Sequence, residues 1–386
     1  TMDSPKQGVK GIKTQWIPSI SGEVKISIPM IGASYEGKLT PDNQIQGNFT
    51  QSGRKFPLLL KAGNVEGPKR PQTPQPPFPY STEEVTFQNG NVHLYGTLTL
   101  PANYTKSTPV VVLVTGSGQQ NRDEELFEHR PFAVIADAFA RNGIATLRYD
   151  DRLYGDASAT FSNYTTKDFS DDAACAIQFA RKRFDKVGIL GHSEGGAIAL
   201  MLAADKHVDF VVSMSGMVAS GRETILQQNK DMLHAMTTLS DDVINAYVQA
   251  LGEGLDGIIA GKKPAEIPLP KMLPASMSQS FQAAIKQADT PWFRYFLQVN
   301  PSTIIGKIAC PVLAIGGKKD LQVNSTQHLS LLESGLKGKR NKIANLPDLN
   351  HLLQHCQKGT VDEYGEIEET ISPEALQIMI DWLKEL

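Results

Sequence analysis

The chain has few cysteines, no long apolar run and no surplus of positive charge, and each shortage closes off a class of function. Cys175, Cys310 and Cys356 are the only cysteines among 386 residues. Their spacing fits neither a disulfide framework nor a zinc site, and the first two read as small buried hydrophobes. No apolar stretch approaches the ~18 residues of a spanning helix, so no transmembrane segment is expected. Lys and Arg number 38 against 41 Asp and Glu, for a net charge of −3. With no basic stripe, nucleic acid is not an expected partner. The histidines contain no H-E-x-x-H pair, and no metal is expected. The Gly116-Ser117-Gly118 turn lacks both the lysine of a P-loop and the full G-x-G-x-x-G, so neither a nucleotide nor any other cofactor is expected. An initiator methionine and a signal peptide are also missing, which reads as a chain whose leader or upstream segment has been removed.

What remains is enough to build a sizeable core: 40% of residues are hydrophobic. The length suits one large α/β domain plus a smaller module. Residues 1–63 read as short alternating strands at 24–28, 34–39, 44–49 and 56–60, a small antiparallel β module. The four strands make a thin sheet, which reads as the truncated part of a larger β module. Trp16 and Tyr35 there are expected to be packing residues. Prolines crowd into residues 64–80, which reads as a semi-rigid linker. From Ser81 the pattern changes. Asn89-Gly90 signals a hairpin with a type I′ turn. Strands at 110–114, 144–149, 187–190, 210–214, 312–316 and 342–346 then alternate with helices at 131–141, 165–183 and 375–386. Thr165-x-x-Asp168 resembles a capping box. This alternation predicts a mostly parallel sheet with helices on both faces over residues 81–386. A strand-free stretch, about 219–305, reads as a helical cap inserted above the strand ends, where ligands bind in such sheets. It holds Met232, Met236, Met272, Met277, Trp292, Phe293, Tyr295 and Phe296. These serve either as the insertion's own core or, in part, as an apolar acyl pocket.

One stretch carries chemistry. Val187 to Leu190 reads as a buried strand and Ala197 to Ala204 as a buried helix. Between them runs Gly191-His192-Ser193-Glu194-Gly195-Gly196. Strand, G-x-S-x-G, helix is the context of a nucleophile elbow, with Gly191 and Gly195 required where backbone passes too close for a Cβ. Ser193 is then the candidate nucleophile and the Glu194 N–H a candidate oxyanion donor. A serine hydroxyl needs a base, and the base needs an acid to orient it. In a sheet of this kind these follow in the order acid, then histidine. Asp320, in a loop after the strand at 312–316, is the candidate acid, with Asp348 as its rival. His351, after the last strand, is the candidate base. His328 falls inside a helical stretch, and His355 reads as a neighbour of His351. The second oxyanion donor is expected from the loop after the first parallel strand, with Ser117 the first choice and Gly118 the second. The charged run Arg148-Tyr149-Asp150-Asp151-Arg152 reads as arginines paired with carboxylates near the rim.

Together these residues resemble the α/β-hydrolase superfamily. Within it the chain is similar to a bacterial group of serine carboxylesterases, also described as serine-aminopeptidase-like hydrolases. The resemblance rests on T-G-S-G-Q-Q-N-R-D-E (115–124), the run 132–152, G-H-S-E-G-G (191–196), P-W-F-R-Y-F (291–296), the run 310–323 and L-N-H-L-L-Q (349–354). It implies the α/β-hydrolase fold, a Ser193–Asp320–His351 triad, a helical cap and a secreted or periplasmic location. It also implies a carboxylesterase-type serine hydrolase acting on small-molecule esters, with Trp292, Phe293 and Phe296 as candidate substrate-binding residues. The group usually has Gly-x-Gly-x-Ser after the Asp-Arg pair. Here Leu153 stands at the first glycine, so the loop beside the site is expected to differ in shape. A peptidase or amidase with the same triad is the main rival. It needs an acidic site for the substrate amine, for which Glu223, Asp231, Asp241, Asp242, Glu253 and Asp256 are available. A non-catalytic binding protein on the same scaffold is the remote alternative, and acyl transfer to an alcohol is a further option.

Overall fold

The computed structural model describes residues 1–386 apart from 5–8, 18–21, 52–53, 64–67, 157, 271–272, 274 and 339. The chain divides into two compact units, 1–69 with 364–368 and 70–363 with 369–386.

The larger unit is organised by an eight-stranded sheet. Its strands are β1 (Ser81–Asn89), β2 (Val92–Leu100), β3 (Val110–Val114), β4 (Ala145–Tyr149), β5 (Val187–His192), β6 (Val211–Met214), β7 (Val312–Gly317) and β8 (Lys342–Leu346). Their spatial order is β8-β7-β6-β5-β3-β4-β2-β1. β3 to β8 are parallel, while the β1–β2 hairpin joins antiparallel on β4. Every residue of β3 is buried, because helices cover both faces. Val110, Val112 and Val114 pack on one side with Ile177 and Ile198, and Val111 and Leu113 on the other with Phe132, Ile135 and Ile380. The strand's alternation thus splits a continuous apolar run between two cores. Each buried Val or Leu contributes roughly 1.5–3 kcal/mol.

The helices α1 (Pro131–Arg141) and α2 (Thr166–Arg181) follow their sequence signals. At the start of α2, Thr165 and Asp168 form the reciprocal capping box. The hairpin turn differs from expectation. Asn89 pairs with Val92, leaving Gly90 and Asn91 as the loop. Only Gly90 has a positive φ, at 57°, which is the pattern of a type II′ turn. The proline-rich run differs too, because residues 70–80 belong to the larger unit. The Gln72 amide reaches the backbone of Thr370 and Ile371, and the Tyr80 hydroxyl donates to Asp137. The segment is thus tied down at Gln72 and Tyr80, while Pro71, Pro76, Pro77 and Pro79 remain exposed.

Between β6 and β7 lie α4 (Gly221–Met236), α5 (Asp241–Ile259), α6 (Ala275–Ala288) and α7 (Pro291–Phe296), with α3 (Glu194–Ala204) preceding β6. The insertion has its own core, in which Met277 and Phe293 join Tyr247, Leu251 and Phe281. Met236 does not belong to it, being 61% exposed. Met272 lies outside the described residues. The chain closes with α8 (Ser325–Gly335), β8 and a final amphipathic helix, Pro373–Lys384.

The smaller unit is a meander of five antiparallel strands, Gln15–Ile17, Glu23–Ile28, Ala33–Leu39, Gln44–Gln51 and Arg54–Lys61, with a two-stranded pair beside it in sequence. Tyr35 is a packing residue, with its hydroxyl donating to the carbonyls of Ile45 and Leu58. Trp16 is not, being 62% exposed. It sits on a three-residue edge strand with one neighbour, too little surface to cover an indole.

Candidate active site

The strand order reverses at β3, whose two neighbours β4 and β5 come later in the chain. Such a switch point opens a crevice at the carboxyl ends of the strands. The loop after β3 and the turn after β5 both open onto it. A cavity of about 410 Å³ lies there, lined by Gly116, Ser117, Glu124, His192, Ser193, Glu194 and His351, with a wall from the inserted helices.

The turn after β5 is as tight as its glycines suggest. A Cβ on Gly191 would lie 1.9 Å from the Gly195 carbonyl oxygen, and one on Gly195 would lie 2.3 Å from that of Val114. Ser193 is held at φ 55°, ψ −116°. Non-glycine residues adopt such backbone only where the surroundings impose it, and they do so at functional sites. Asp320 and His351 meet at the neighbouring strand ends. His351 Nδ1 stands 2.8 Å from Asp320 Oδ2, with the two residues 4% and 3% exposed. The other Asp320 oxygen accepts the Gln322 and Val323 N–H groups at 2.8 and 2.9 Å, which fixes the carboxylate plane. Asp348 points elsewhere, to Lys319. The His351 loop is knitted by Asn350, whose amide oxygen accepts from Leu352 and Gln354.

The remaining histidines separate cleanly. His328 lies in α8, where its Nδ1 accepts the Val218 and Ala219 N–H groups. Burial pushes its imidazole down to about 4, so it is a neutral acceptor. His355 is bonded to Glu369.

In the loop after β3, Ser117 borders the main cavity, whereas Gly118 lines a small void behind it with Asp151 and Glu194. The Gly116 N–H is already taken by Glu124 Oε1 at 2.6 Å. In the charged run that ends β4, Asp151 accepts from Thr115 Oγ1 and the Gln120 N–H of the loop after β3, and the arginines pair with carboxylates. Arg148 meets Asp123, Asp150 takes Arg122, and Arg152 takes Asp168 and Asp172. Leu153 has a left-handed backbone, with φ 58°, and its carbonyl accepts from Gln119. A side chain on such a backbone costs about 1–2 kcal/mol relative to the right-handed region.

Trp292, Phe293 and Phe296 all line the cavity, with Trp292 centroids 5.2 and 5.3 Å from the other two rings. Tyr295 is turned outward, 37% exposed. Thr224, Ile225, Gln228 and Asn229 of α4, Leu251 and Leu255 of α5, and Ala284 and Gln287 of α6 complete the wall.

Side chains that sequence reasoning left out tie these parts together. Glu194 is 3% exposed and accepts from Ser117 Oγ at 2.6 Å, Thr166 Oγ1 at 2.7 Å and Trp292 Nε1 at 3.2 Å. Burial raises its carboxyl above the ordinary range, and the three donors pull it back part of the way. One carboxylate thus joins the loop after β3, α2 and the aromatic helix α7. Glu124 and His192 form a second buried pair at 2.9 Å. The only local signal for them was their position, within the charged run after the glycine turn and immediately before Ser193.

A serine in a strained strand-to-helix turn, with a histidine–carboxylate pair bordering the same cavity at the strand ends, is the layout of an α/β-type hydrolase. The α/β-hydrolase fold family matches residues 109–353, well over half the chain, and this chain belongs to it. The chain is also similar to esterase EstD of Thermotoga maritima, 27% identical over 316 residues that cover 79% of this chain and 68% of the relative. Among solved structures it is similar to dienelactone hydrolase of Anabaena variabilis, with 17% identity, TM-score 0.46, and 80% and 98% of the two chains covered. Est1E of Butyrivibrio proteoclasticus gives 15% identity, TM-score 0.44, and 78% and 99% coverage.

Proposed function

We propose that this protein is a serine esterase that cleaves small, uncharged carboxylic esters through an acyl-enzyme. The observation that carries the reading is the buried His351–Asp320 bond of 2.8 Å on the cavity that also holds the strained Ser193. Ser193 Oγ attacks the ester carbonyl while His351 Nε2 takes its proton. Asp320 holds the Nδ1–H and steadies the imidazolium that results. The N–H groups of Ser117 and Glu194 receive the oxyanion, since that of Gly116 is engaged and Gly118 faces the void behind. His351 then protonates the departing alcohol. Water, deprotonated by the same histidine, releases the acid and restores Ser193.

The cavity wall supports an ester over a peptide with a free amine. Among the described residues, Glu124 and Glu194 are the only acidic residues lining the cavity. Glu194 accepts from three neutral donors, and Glu124 meets His192 through Oε1 while its buried Oε2 has no hydrogen-bond partner. Glu223, Asp231, Asp241, Asp242, Glu253 and Asp256 lie off the cavity, and Glu223 and Asp256 are spent on a helix cap and on Arg222. Among the described residues no acidic side chain of the inserted helices lines the cavity, so an ammonium there would lose its hydration without a carboxylate from the cap to replace it, an unfavourable exchange. The similarity to EstD, an esterase by name, points the same way. The helices from 221 to 296 act as a cap, and their aromatic and amide side chains select the acyl group.

The test compares a nitrophenyl ester panel of rising acyl length with an aminoacyl anilide, using Ser193→Ala as the control. The wild type should turn over esters and label with a fluorophosphonate. Ser193→Ala should lose roughly 10⁴- to 10⁶-fold in kcat and all labelling. Anilide turnover that exceeds ester turnover would overturn the substrate class, and an active Ser193→Ala would overturn the mechanism.

A further inference from the structure

A second buried histidine–carboxylate pair stands beside the first. His192 ends β5, one residue before Ser193, and its ring centroid lies 4.7 Å from that of His351. His192 and Glu124 are each 4% exposed. His192 Nδ1 is 2.9 Å from Glu124 Oε1, and His192 Nε2 is 3.1 Å from the main-chain oxygen of His351. The same Glu124 Oε1 accepts the Gly116 N–H at 2.6 Å. These groups crowd against the nucleophile. The point where a Gly116 Cβ would stand is 3.2 Å from Ser193 Cβ, 3.3 Å from Glu124 Oε1 and 3.4 Å from His192 Nδ1.

The proton count follows from the partners. A main-chain carbonyl can only accept, so His192 Nε2 carries a hydrogen. Glu124 Oε1 already accepts from Gly116, and an ionised carboxylate oxygen can accept again, so Nδ1 donates as well. Burial by itself would push the His192 imidazole down, but the charge and hydrogen bond of Glu124, the bond to the His351 carbonyl and the Asp320 charge together hold it above its ordinary value. A ring that donates at both ends bridges two loops that no backbone bond of their own joins. Through Glu124 it grips the turn before Ser117, and directly it grips the backbone of His351.

We propose that His192 and Glu124 are positioning residues, a brace that sets the spacing of the oxyanion loop and the general-base loop on either side of Ser193. This rests on the serine esterase reading above. Groups displaced by about 1 Å from a productive arrangement cost on the order of 10²-fold in rate, so the brace acts on kcat. Both residues border the cavity, but their hydrogen bonds run to Gly116 and His351 and not to the inserted helices, so the main effect falls on kcat and not on KM.

The test measures kcat and KM for Glu124→Gln, His192→Gln and the double variant on one short-chain nitrophenyl ester. Each kcat is normalised to the sites titrated with a fluorophosphonate, so that misfolded protein drops out. Glu124→Asp, which keeps the charge but withdraws its reach, is measured in the same way and decides the matter should the other variants not fold. Each single variant should lose roughly 30- to 300-fold in kcat per site with KM within about threefold. The double variant should be no worse than the poorer single, because the pair works as a unit. A kcat per site within threefold of wild type in the folded variants would overturn the brace, whatever happens to Tm, and leave a merely structural pair. Ser193→Ala is run alongside. If it is inactive while the brace variants are normal, the brace alone falls. If it stays active, the serine reading falls and the brace with it.

Discussion

The strand-end loops and the inserted helices border one cavity but are built on different principles. The loops hold Ser193, Asp320 and His351 on backbone that has almost no alternative. Ser193 sits at φ 55°, and the glycines around it would collide with backbone if they carried a Cβ. Their polar groups are buried in pairs. The helices from 221 to 296 pack through ordinary apolar side chains into a core of their own and turn Trp292, Phe293 and Phe296 toward the cavity. A buried polar group has few acceptable partners, whereas an apolar wall tolerates repacking. On the proposed esterase reading, the difference separates chemistry from selectivity. Changes in the loops should act on every substrate alike, and changes in the helices should depend on the acyl group.

The comparison can be broken most forcefully at Asp320. Asp320→Asn should lower kcat/KM by about 10⁴-fold on acetyl and longer esters equally, and a loss that varied tenfold along the ester panel would erase the division. Trp292→Ala tests the opposite side. It should cost roughly 10- to 100-fold for bulky or aromatic acyl groups and under about threefold for acetyl, in keeping with the size of one aromatic contact. Trp292→Phe separates the ring from the N–H that reaches Glu194. If it reproduces the alanine profile, the hydrogen bond and not the aromatic surface sets selectivity.

The joint between the two regions is His328, which accepts the N–H groups of Val218 and Ala219 where the chain leaves β6 for the insertion. Its folded pKa, about 4, lies below the ordinary histidine value. Between about pH 6.5 and 4 the unfolded chain takes up a proton that the folded chain refuses. Stability therefore falls with pH over that window, by on the order of 3 kcal/mol. Urea midpoints at pH 7 and 4.5 should differ less in His328→Asn, whose amide oxygen keeps an acceptor near Nδ1 but does not titrate. An unchanged slope in that variant would place the acid sensitivity elsewhere. The smallest effect is expected at Leu153. A left-handed backbone costs a non-glycine residue about 1–2 kcal/mol, and the added freedom of glycine in the unfolded chain takes back roughly 0.5–1 kcal/mol. Leu153→Gly should raise the urea midpoint by up to about 1 kcal/mol in stability without changing kcat. A lower midpoint would mean that the leucine side chain packs more firmly than its strain costs.

Much of the fold could be read along the chain because its rules are local. Val110 to Val114, Pro131 to Arg141 and Lys342 to Leu346 are uniform or periodic runs with sharp ends, and they form the elements their patterns predict. The capping box at Thr165 is a four-residue device and needs no distant partner. Errors arose where a local signal competes with something remote. The prolines at 70–80 suit an extended spacer, yet the backbone of Thr370 and Ile371, met by Gln72, and the Asp137 carboxylate, met by Tyr80, decide where that segment lies. Asn89-Gly90 suits one turn type, but the pairing of Asn89 with Val92 shifts the turn by one residue.

The sequence by itself determined the order of elements, the G-H-S-E-G-G turn at the end of a buried strand, and an aspartate and a histidine after later strands. Short-range sterics and hydrophobic periodicity write those features within a few residues of one another. Only the tertiary structure decided that Glu124 meets His192 across 68 residues, that His192 reaches the His351 backbone across 159, and that Glu194 collects Ser117, Thr166 and Trp292 from separations of 77, 28 and 98. A buried hydrogen bond depends on where two loops come to rest, and that is set by the packing of the whole sheet and not by the residues between the partners.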